Sequence, residues 1–385
     1  MRNNNVTILA IDTSCDETAA AISRDDVLFS NTLSSSMEFQ NEWGGVVPII
    51  AKRNHINRID GVIKRALRLA SIDYSELDAV AVTYGPGLAI ALEVGIAKAR
   101  EISIEYNIPI IGVNHMAGHI YANFARRATK QTFSGLDVKS AFPLIALLIS
   151  GGHTELVYMK DHLKYEIIGH TLDDSVGEAF DKIARMLALG YPGGPIIERL
   201  AKLGNENAFT FPVSMAKSGD LNLSYSGLKT AVMRVIQEIG NPEVIHDETE
   251  KSKYEAKAAQ YRNEPYAPSL SKKPVYRLSK QDSVNIAASF QKAAAAQLVI
   301  KSIEAVKKYP VNTFLLGGGV VNNIYIRKYL RKELSRQGVR LYYPRNNKLL
   351  SDNAGMIAIS GYYQYKNSQF ADLARLDRNP NLILG

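Results

Sequence analysis

Apolar and polar positions along this chain fall into two periodicities, and the switches between them mark its elements. Residues 6–10 form an apolar run. It is followed by the polar stretch Asp12-Thr13-Ser14-Cys15-Asp16-Glu17-Thr18 and a second apolar run over 19–22. That order predicts strand, acidic turn, strand. The pattern returns at 142–149, with the turn Ser150-Gly151-Gly152-His153-Thr154-Glu155 and a second strand over 156–158. Two such hairpins, each followed by helical periodicity, predict a duplicated α/β domain, although two unrelated hairpins would give the same local pattern.

Between the hairpins, the Gly44-Gly45-Val46-Val47-Pro48 loop precedes a helix over 49–70, and a short strand is expected at 79–82. The turn Tyr84-Gly85-Pro86-Gly87 opens a helix ending near Tyr106, and a strand follows over 108–113. In the second half, Asp173-Asp174-Ser175 caps a helix whose stripe is Val176, Ala179, Phe180, Ile183, Ala184 and Leu187. Glu178, Asp181 and Arg185 share its other side, at the spacing of a surface ion cluster. Gly190 to Pro195 breaks that helix, and Leu221 to Lys229 predicts a strand and turn before the next.

From 241 to about 280 the chain becomes rich in Lys, Glu, Tyr and Pro, too poor in aliphatic residues to bury a core, and is expected to be an inserted excursion. Ser279 with Asp282 resembles a capping box for an Ala-rich amphipathic helix over 283–309. A strand over 313–316 then runs into Gly317-Gly318-Gly319 and a helix carrying Arg327 and Lys328. Ser351-Asp352-Asn353 caps the last long helix.

Composition adds limits. A chain of 385 residues exceeds the size at which one core usually stops growing, so two domains are expected. With 46% hydrophobic and 22% charged residues it is an ordinary globular sequence. Lys plus Arg number 46 against 38 Asp plus Glu, a net +8 with pI near 9.2, which fits a nucleic-acid partner without requiring one. Cys15 is the single cysteine, so no intrachain disulfide forms and a reducing compartment is expected. The first apolar run is too short for a signal peptide, and nothing approaches the roughly 18 apolar residues of a membrane span. A cytoplasmic protein with no membrane partner is the expectation.

The chemistry centres on Asn114-His115-Met116-Ala117-Gly118-His119. Histidines one helical turn apart can aim both rings at one divalent metal, which needs a third ligand from elsewhere. Asp352 is the candidate, with a simple helix cap as its alternative role. A zincin protease would carry Glu where Met116 stands, so peptide hydrolysis of that type is disfavoured. Asp16 and Glu17 end a buried strand, a position that usually faces a cleft, though solvation would also account for them. Their charges raise rather than lower the pKa of Cys15, which argues against a thiol nucleophile. The small-residue turn at Ser150 to Gly152 either cradles phosphate or is an ordinary hairpin turn, and Gly317 to Gly319, after a strand and before a helix, is a weak signal for a nucleotide or phosphate cradle. The basic face over 49–70, with Lys52, Arg53, Arg58, Lys64, Arg65 and Arg68, has the pattern of a solvated helix.

Taken together and in order, Asp12 to Thr18, His115 to His119, Ser150 to Thr154, Gly177-Glu178-Ala179-Phe180-Asp181-Lys182, Tyr191 to Pro195, Tyr225-Ser226-Gly227-Leu228-Lys229 and Ser351-Asp352-Asn353 resemble the TsaD (formerly Gcp) family. Its members are tRNA N6-adenosine threonylcarbamoyltransferases. The resemblance spans nearly the whole chain apart from the insert. It implies an α/β fold of two ribonuclease-H-like (actin-like ATPase) lobes around a nucleotide cleft. Residues 1–120 with 344–385 would make the first lobe, and 121–343, with the insert, the second. It implies transfer of a threonylcarbamoyl group from threonylcarbamoyl-AMP to N6 of the adenosine 3′ of the anticodon in tRNAs reading ANN codons.

The same resemblance implies a metal, iron(II) or zinc, on His115, His119 and Asp352. It implies substrate contacts from Leu148, Ile149, Ser150, Gly151, Gly152, Asp181, Gly194 and Asn323. Asp16 or Glu17 is the candidate proton acceptor. Bacterial members of the family work with a shorter paralogous subunit and a P-loop ATPase, whereas archaeal and eukaryotic relatives use a kinase-containing complex.

The chain departs from the family pattern at Pro48-Ile49-Ile50-Ala51, where Ile49 replaces a glutamate, at Ile90, and at Asn322. The competing readings are an ATP-dependent small-molecule kinase of the same architecture and a non-catalytic scaffold. A magnesium kinase has no need of the histidine pair, and a scaffold would lack the ligands.

Overall fold

Thr7–Asp12 (β1) is buried at every position, which places it inside a sheet rather than at an edge. It pairs antiparallel with Thr18–Arg24 (β2), which pairs in turn with Val27–Ser34 (β3), a half-exposed edge strand. Pro48–Ala70 (α1) then crosses over, and Ala79–Gly85 (β4) runs parallel to β1. Ala89–Tyr106 (α2) leads to Ile110–Asn114 (β5), parallel to β4, and His115–Tyr121 (α3) follows without a break. The sheet order is β3-β2-β1-β4-β5. In this computed structural model, residues 5–35, 48–129, 131–243 and 275–385 are described. Helix α1 starts at Pro48, one residue before the periodicity predicts. Proline is well placed in a first turn, where its missing N–H would have had no partner.

The second half repeats this plan strand for strand. Leu144–Ile149 (β6), Thr154–Asp161 (β7) and Lys164–His170 (β8) form the antiparallel meander. Val176–Met186 (α4), Gly193–Ala201 (α5) and Ser226–Ile239 (α6) follow. Asn241–Glu243 (β9) and Val275–Arg277 (β10) pair antiparallel at the two ends of the expected insert, whose middle, 244–274, lies outside the described residues. After Lys280–Lys308 (α7), Thr313–Gly317 (β11) runs parallel to β6. Ile324–Arg336 (α8) connects it to Arg340–Tyr342 (β12), parallel to β11. The order β12-β11-β6-β7-β8 reproduces the first sheet, giving two ribonuclease-H-like lobes of the actin type.

Two local expectations change. The helix expected to be amphipathic, α7, is instead buried on most sides, packing against α5, α6, α8 and β6. Its alanines permit close approach, and its buried Lys301 is satisfied by Asp220 O at 2.7 Å and Glu304 Oε2 at 2.8 Å. Leu221 to Leu223 is no strand; a single bridge links Thr171 to Leu223. Pairing stops there because Asp173 takes the next donors, Tyr225 N at 2.7 Å and Ser226 N at 3.1 Å, and so starts α6.

The last helix, Ala354–Lys366 (α9), returns to pack on the first sheet and on α3. One hydrophobic cluster joins Ile8 and Ala10 of β1, Met116 and Ile120 of α3, Ile357 of α9 and Leu144 and Ala146 of β6, so both sheets share a core built around these two helices. The helices pack tightly at Gly118, where a Cβ would lie 2.9 Å from Ile357 Cδ1 and 3.1 Å from Met356 Cγ. Among the described residues no helix is long and apolar enough to cross a membrane.

Replacing Gly118 by valine should therefore overpack the α3–α9 contact and cost about 1–3 kcal/mol in urea unfolding. Gly61, exposed on α1 with open space around it, should instead gain roughly 0.5–1 kcal/mol as alanine. A neutral Gly118→Val would show that the two helices are not held by this contact.

Candidate active site

Asn114 ends β5 and caps α3, its Oδ1 accepting from Met116 N at 2.8 Å and Ala117 N at 3.3 Å. The cap fixes His115 as the first helical residue, so His115 and His119 stand one turn apart on one face. Their rings meet edge to face with centroids 4.8 Å apart. Across from them α9 is capped by Asn353, whose Oδ1 accepts from Met356 N at 3.0 Å and from Asn31 Nδ2 at 3.1 Å. Asn31 Oδ1 accepts in turn from Gly355 N at 3.2 Å. Because Asn353 does the capping, the Asp352 carboxylate is released from that role. Its Oδ1 lies 3.3 Å from His115 Nε2 and 3.3 Å from His119 Nε2.

One ligand atom from each of the three residues lies within 4.8 Å of the others, the arrangement of a group that can hold a metal ion. The two histidine side chains are almost wholly buried, while Asp352, 30% exposed, reaches in from the rim. His115 Nδ1 and both nitrogens of His119 are buried without a hydrogen-bond partner, the 3.3 Å approach of Asp352 to His119 being poorly aligned for one. Buried imidazole nitrogens left so are costly, and a cation at their lone pairs removes the cost, so the residues fit a metal. Behind His115, Asp12 Oδ1 stands 3.8 Å from Nδ1, where it can orient the ring. Burial opposes a charge on His115, yet Asp352 and Asp12 outweigh it and push its pKa up to about 10. Burial keeps His119 neutral, its pKa lowered. The Asp352 carboxyl, though burial works against it, is held well below the usual range by His115.

The acidic turn after β1 closes one side. His55, fully buried on α1, pins it: its Nδ1 is 2.8 Å from Thr18 Oγ1 and its Nε2 is 3.1 Å from Cys15 O. Since a carbonyl only accepts, Nε2 carries the proton and Thr18 donates to Nδ1. Glu17 is raised to about 8 by burial first and then by the carboxylates of Asp352, Asp16 and Asp12. Asp16 sits in the same half-buried turn. The Cys15 thiol is pushed well up by burial and by Asp16, in keeping with a passive residue.

The second lobe supplies the facing wall. Leu148 and Ile149 are wholly buried, so only their backbone is available to a ligand. Ser150 Oγ accepts from Gly152 N at 3.3 Å and His153 N at 3.0 Å, while Gly151 and Gly152 are exposed with open space above Cα. Gly318, at φ +95°, lies so near β6 that a Cβ would fall 2.4 Å from Ile149 O, which explains that glycine. Asp181 turns inward instead of joining a surface cluster, accepting from Gly193 N at 2.7 Å and raised by burial. Gly194 beside it is open. The Asn323 side chain is committed, its Oδ1 capping α8 from Ile326 N at 3.0 Å and its Nδ2 donating to Gln291 Oε1 at 2.9 Å. What it offers a ligand is the shape of the Gly317 to Asn323 turn.

Five residues of this neighbourhood had no assigned role in the sequence: Asp12, Asn31, His55, His153 and Tyr191. His153 is driven to about 4 by burial and by His115 and His119, which marks it as a neutral ring facing the pair. Tyr191 is raised by burial, by Asp181 and then by Cys15 and Asp16, so it faces turns of both lobes. Both lie inside motifs singled out by sequence. Asn31 carries no sequence signal, being 322 residues from Asn353.

A family model described as tRNA N6-adenosine threonylcarbamoyltransferase (TsaD) matches residues 27–359. The protein of that name from Thermosipho africanus is 40% identical over 375 residues, covering 97% of this chain and 99% of the relative. The Staphylococcus aureus (strain Newman) protein of the same name is 40% identical over 382 residues, covering 99% and 97%. Among solved structures, full-length HypF in its phosphate- and nucleotide-bound form is similar in fold at TM-score 0.56 and 14% identity, over 95% of this chain and 47% of that one. HypF from T. kodakarensis matches at 0.56 and 13%, over 96% and 50%, so this chain spans about half the length of either. Matched over most of its length by the family model and over nearly all of it by named relatives, the chain belongs to the TsaD family of tRNA N6-adenosine threonylcarbamoyltransferases.

Proposed function

We propose that this chain moves the threonylcarbamoyl group of threonylcarbamoyl-AMP onto N6 of the adenosine 3′ of the anticodon in tRNAs reading ANN codons. The observation that carries the reading is the meeting of His115, His119 and Asp352 beside a glycine-lined wall, in a chain of this family. A kinase of the same architecture, which the fold alone would allow, is not favoured by that membership.

In this reading His115, His119 and Asp352 hold one divalent ion, iron(II) by preference and zinc as the alternative; two imidazoles and one carboxylate suit both. Bound there, the ion supplies positive charge and Lewis acidity for the threonylcarbamoyl end of the substrate. The open turn at Ser150, Gly151 and Gly152, with Gly194, receives the adenylate, and the backbone of Leu148 and Ile149 and the turn shaped by Asn323 border it. Asp181 keeps the Gly193–Gly194 turn in place and offers its remaining lone pairs to ribose hydroxyls. The exocyclic amine is a weak nucleophile, so orientation matters more than basicity. Glu17, with Asp16 beside it, receives the proton that leaves the amine, its pKa raised by burial and neighbouring carboxylates and brought down again by a cation beside Asp352.

The lobes that border the cleft are residues 1–120 with 344–385, and 121–343. The target base must leave its stack to reach the cleft. A cytoplasmic setting and, in a bacterium, a shorter paralogous subunit and a P-loop ATPase complete the proposal.

Alanine at His115, His119 or Asp352 should bring bound metal from about one per chain to near zero and cut transfer to unmodified tRNA on the order of 100-fold or more, with the fold retained. Metal content by mass spectrometry, read beside a transfer assay, decides this. Undiminished activity in a metal-free variant would remove the ion from the reaction.

The metal-free protein should also become less stable as pH rises. His115, raised to about 10, contributes fully below its unfolded value and loses that contribution as pH climbs through its folded one. Glu17, raised to about 8, adds a penalty that grows above its unfolded value and is complete near its folded one, in the same direction. Between about pH 6.5 and 9 the two losses together are on the order of 5 kcal/mol, lowering Tm by roughly 6 °C in a chain of this length. Saturating zinc should flatten this slope, because the bound ion takes the place of the proton. A flat or rising Tm in metal-free protein contradicts the assignment.

A further inference from the structure

A cavity of about 500 Å³ shares no lining residue with the candidate active site. It forms where the segment after α3 folds against the start of β3 and the segment after β12. Leu28 N donates to Arg126 O at 3.0 Å, and Arg345 N donates to Phe133 O at 3.0 Å. Arg126, Arg127 and Arg345 all line it. Arg126 is held by Asp26, with Nε 3.0 Å from Oδ2. Arg127 lies over the Phe133 ring at 4.9 Å, and among the described residues neither its guanidinium nor that of Arg345 has a carboxylate within salt-bridge range. The single acid in the lining, Asp137, is turned to local work, accepting from Lys139 N at 3.2 Å and Ser140 Oγ at 2.9 Å.

Three guanidiniums around one concavity repel one another, and a lining left with net positive charge raises the local concentration of anions. Planar guanidinium forks match phosphate oxygens in particular, and stacking on Phe133 fixes the plane of Arg127 in advance. The positive charge does not stop at the cavity. Two residues before Arg345, Tyr343 carries Arg327 and Arg331 over its ring at 4.9 and 5.3 Å. Lys328, Lys332 and Arg340 are exposed on the same elements, and Glu333, the one acid of α8, is tied to Arg336. A lone small anion would need only the pocket. A row of phosphates uses the pocket and its basic continuation together.

We propose that this cavity is a phosphate-binding site and that the tract from Arg126 and Arg127 through Arg345 to α8 carries the backbone of a polynucleotide. The site thus holds the RNA substrate at a distance from the reacting base. This rests on the reading of the chain as a tRNA-modifying enzyme.

The test uses the full chain with Arg127→Gln and Arg345→Gln combined. Both side chains are exposed, so the fold should survive with Tm unchanged. Binding of unmodified tRNA is measured over a range of salt, with transfer activity recorded for the wild type. Affinity should fall about 10-fold or more, and the log–log salt slope should shrink by about two, one per lost phosphate contact. Lysine at both positions should restore most of the slope. Unchanged affinity and slope, with a wild type that still modifies tRNA, overturns this inference alone.

A wild type that, supplied with its partner subunits and threonylcarbamoyl-AMP, neither binds nor modifies tRNA overturns the functional reading instead. The cavity is then probed with inorganic pyrophosphate. A thermal shift lost in the Gln variant upholds a phosphate site but makes its source a free anion; no shift ends the proposal in both forms.

Discussion

The candidate site depends on one approach, that of α3 to α9 at Gly118. Neither helix carries a complete ligand group. The histidines belong to the first, the carboxylate lies just ahead of the second, and more than two hundred residues of chain separate them. What sets their relation is the start of each helix. Asn114 and Asn353 each satisfy the first free N–H groups of a helix and thereby decide which residue is first. Moving either start by one residue would rotate the following side chains by about 100° and break the group. Asn31 adds the third point of attachment by tying the cap of α9 to β3. The centre is therefore framed by amide hydrogen bonds, with the absence of a side chain at Gly118 allowing the helices to close.

Around this frame the charges are set against one another. Asp352 and Asp12 stand against two imidazoles, and Glu17 and Asp16 lie beside those carboxylates, in a region where burial alone would leave that many carboxylates poorly tolerated. A positive charge is needed for the group to persist. The proton that His115 retains to about pH 10 and a divalent ion both meet that need, and they compete for it, because a metal takes an imidazole only in its neutral form. The same competition reaches Glu17. Its value near 8 reflects repulsion by its neighbours, and a cation beside Asp352 relieves that repulsion and lowers it. Loading the site and setting the acceptor's readiness for a proton are thus one event in electrostatic terms.

Much of this was visible along the chain, because much of it is local. The i, i+4 histidines, the Ser175 and Ser279 caps and the glycine turns all act within a few residues of themselves, where spacing is informative. The duplicated hairpins were legible for the same reason, and the two sheets repeat their order accordingly. What escaped is what tertiary packing decides. Helix α7 has the composition of a helix with a solvated face, yet its neighbours enclose it, and its polar residues find partners far away in the sequence. Spacing alone puts Asp181 in a surface ion cluster; the family resemblance points it to the cleft, and the bond from Gly193 N shows what turns it inward. Asn323 is a substrate contact by family resemblance, and its place in a glycine-rich turn gives no sign that the cap of α8 and Gln291 use both ends of its amide.

The duplication also explains why the two halves hold different chemistry. In each lobe a buried central strand ends in a hairpin turn facing the cleft, so the fold presents the same backbone position twice. In the first lobe that turn is Asp16-Glu17, backed by Asp12 and a histidine pair, an environment that favours cations. In the second it is Ser150-Gly151-Gly152, open and without carboxylates, so an anion meets no like charge there. A substrate with an adenylate at one end and an acyl group to be polarised at the other needs both environments at a fixed separation. Two copies of one fold, sharing a core through α3 and α9, provide that separation without any flexible part. On this view the divergence of a single turn between the copies is what allows the proposed reaction, and the common core keeps the two turns in register.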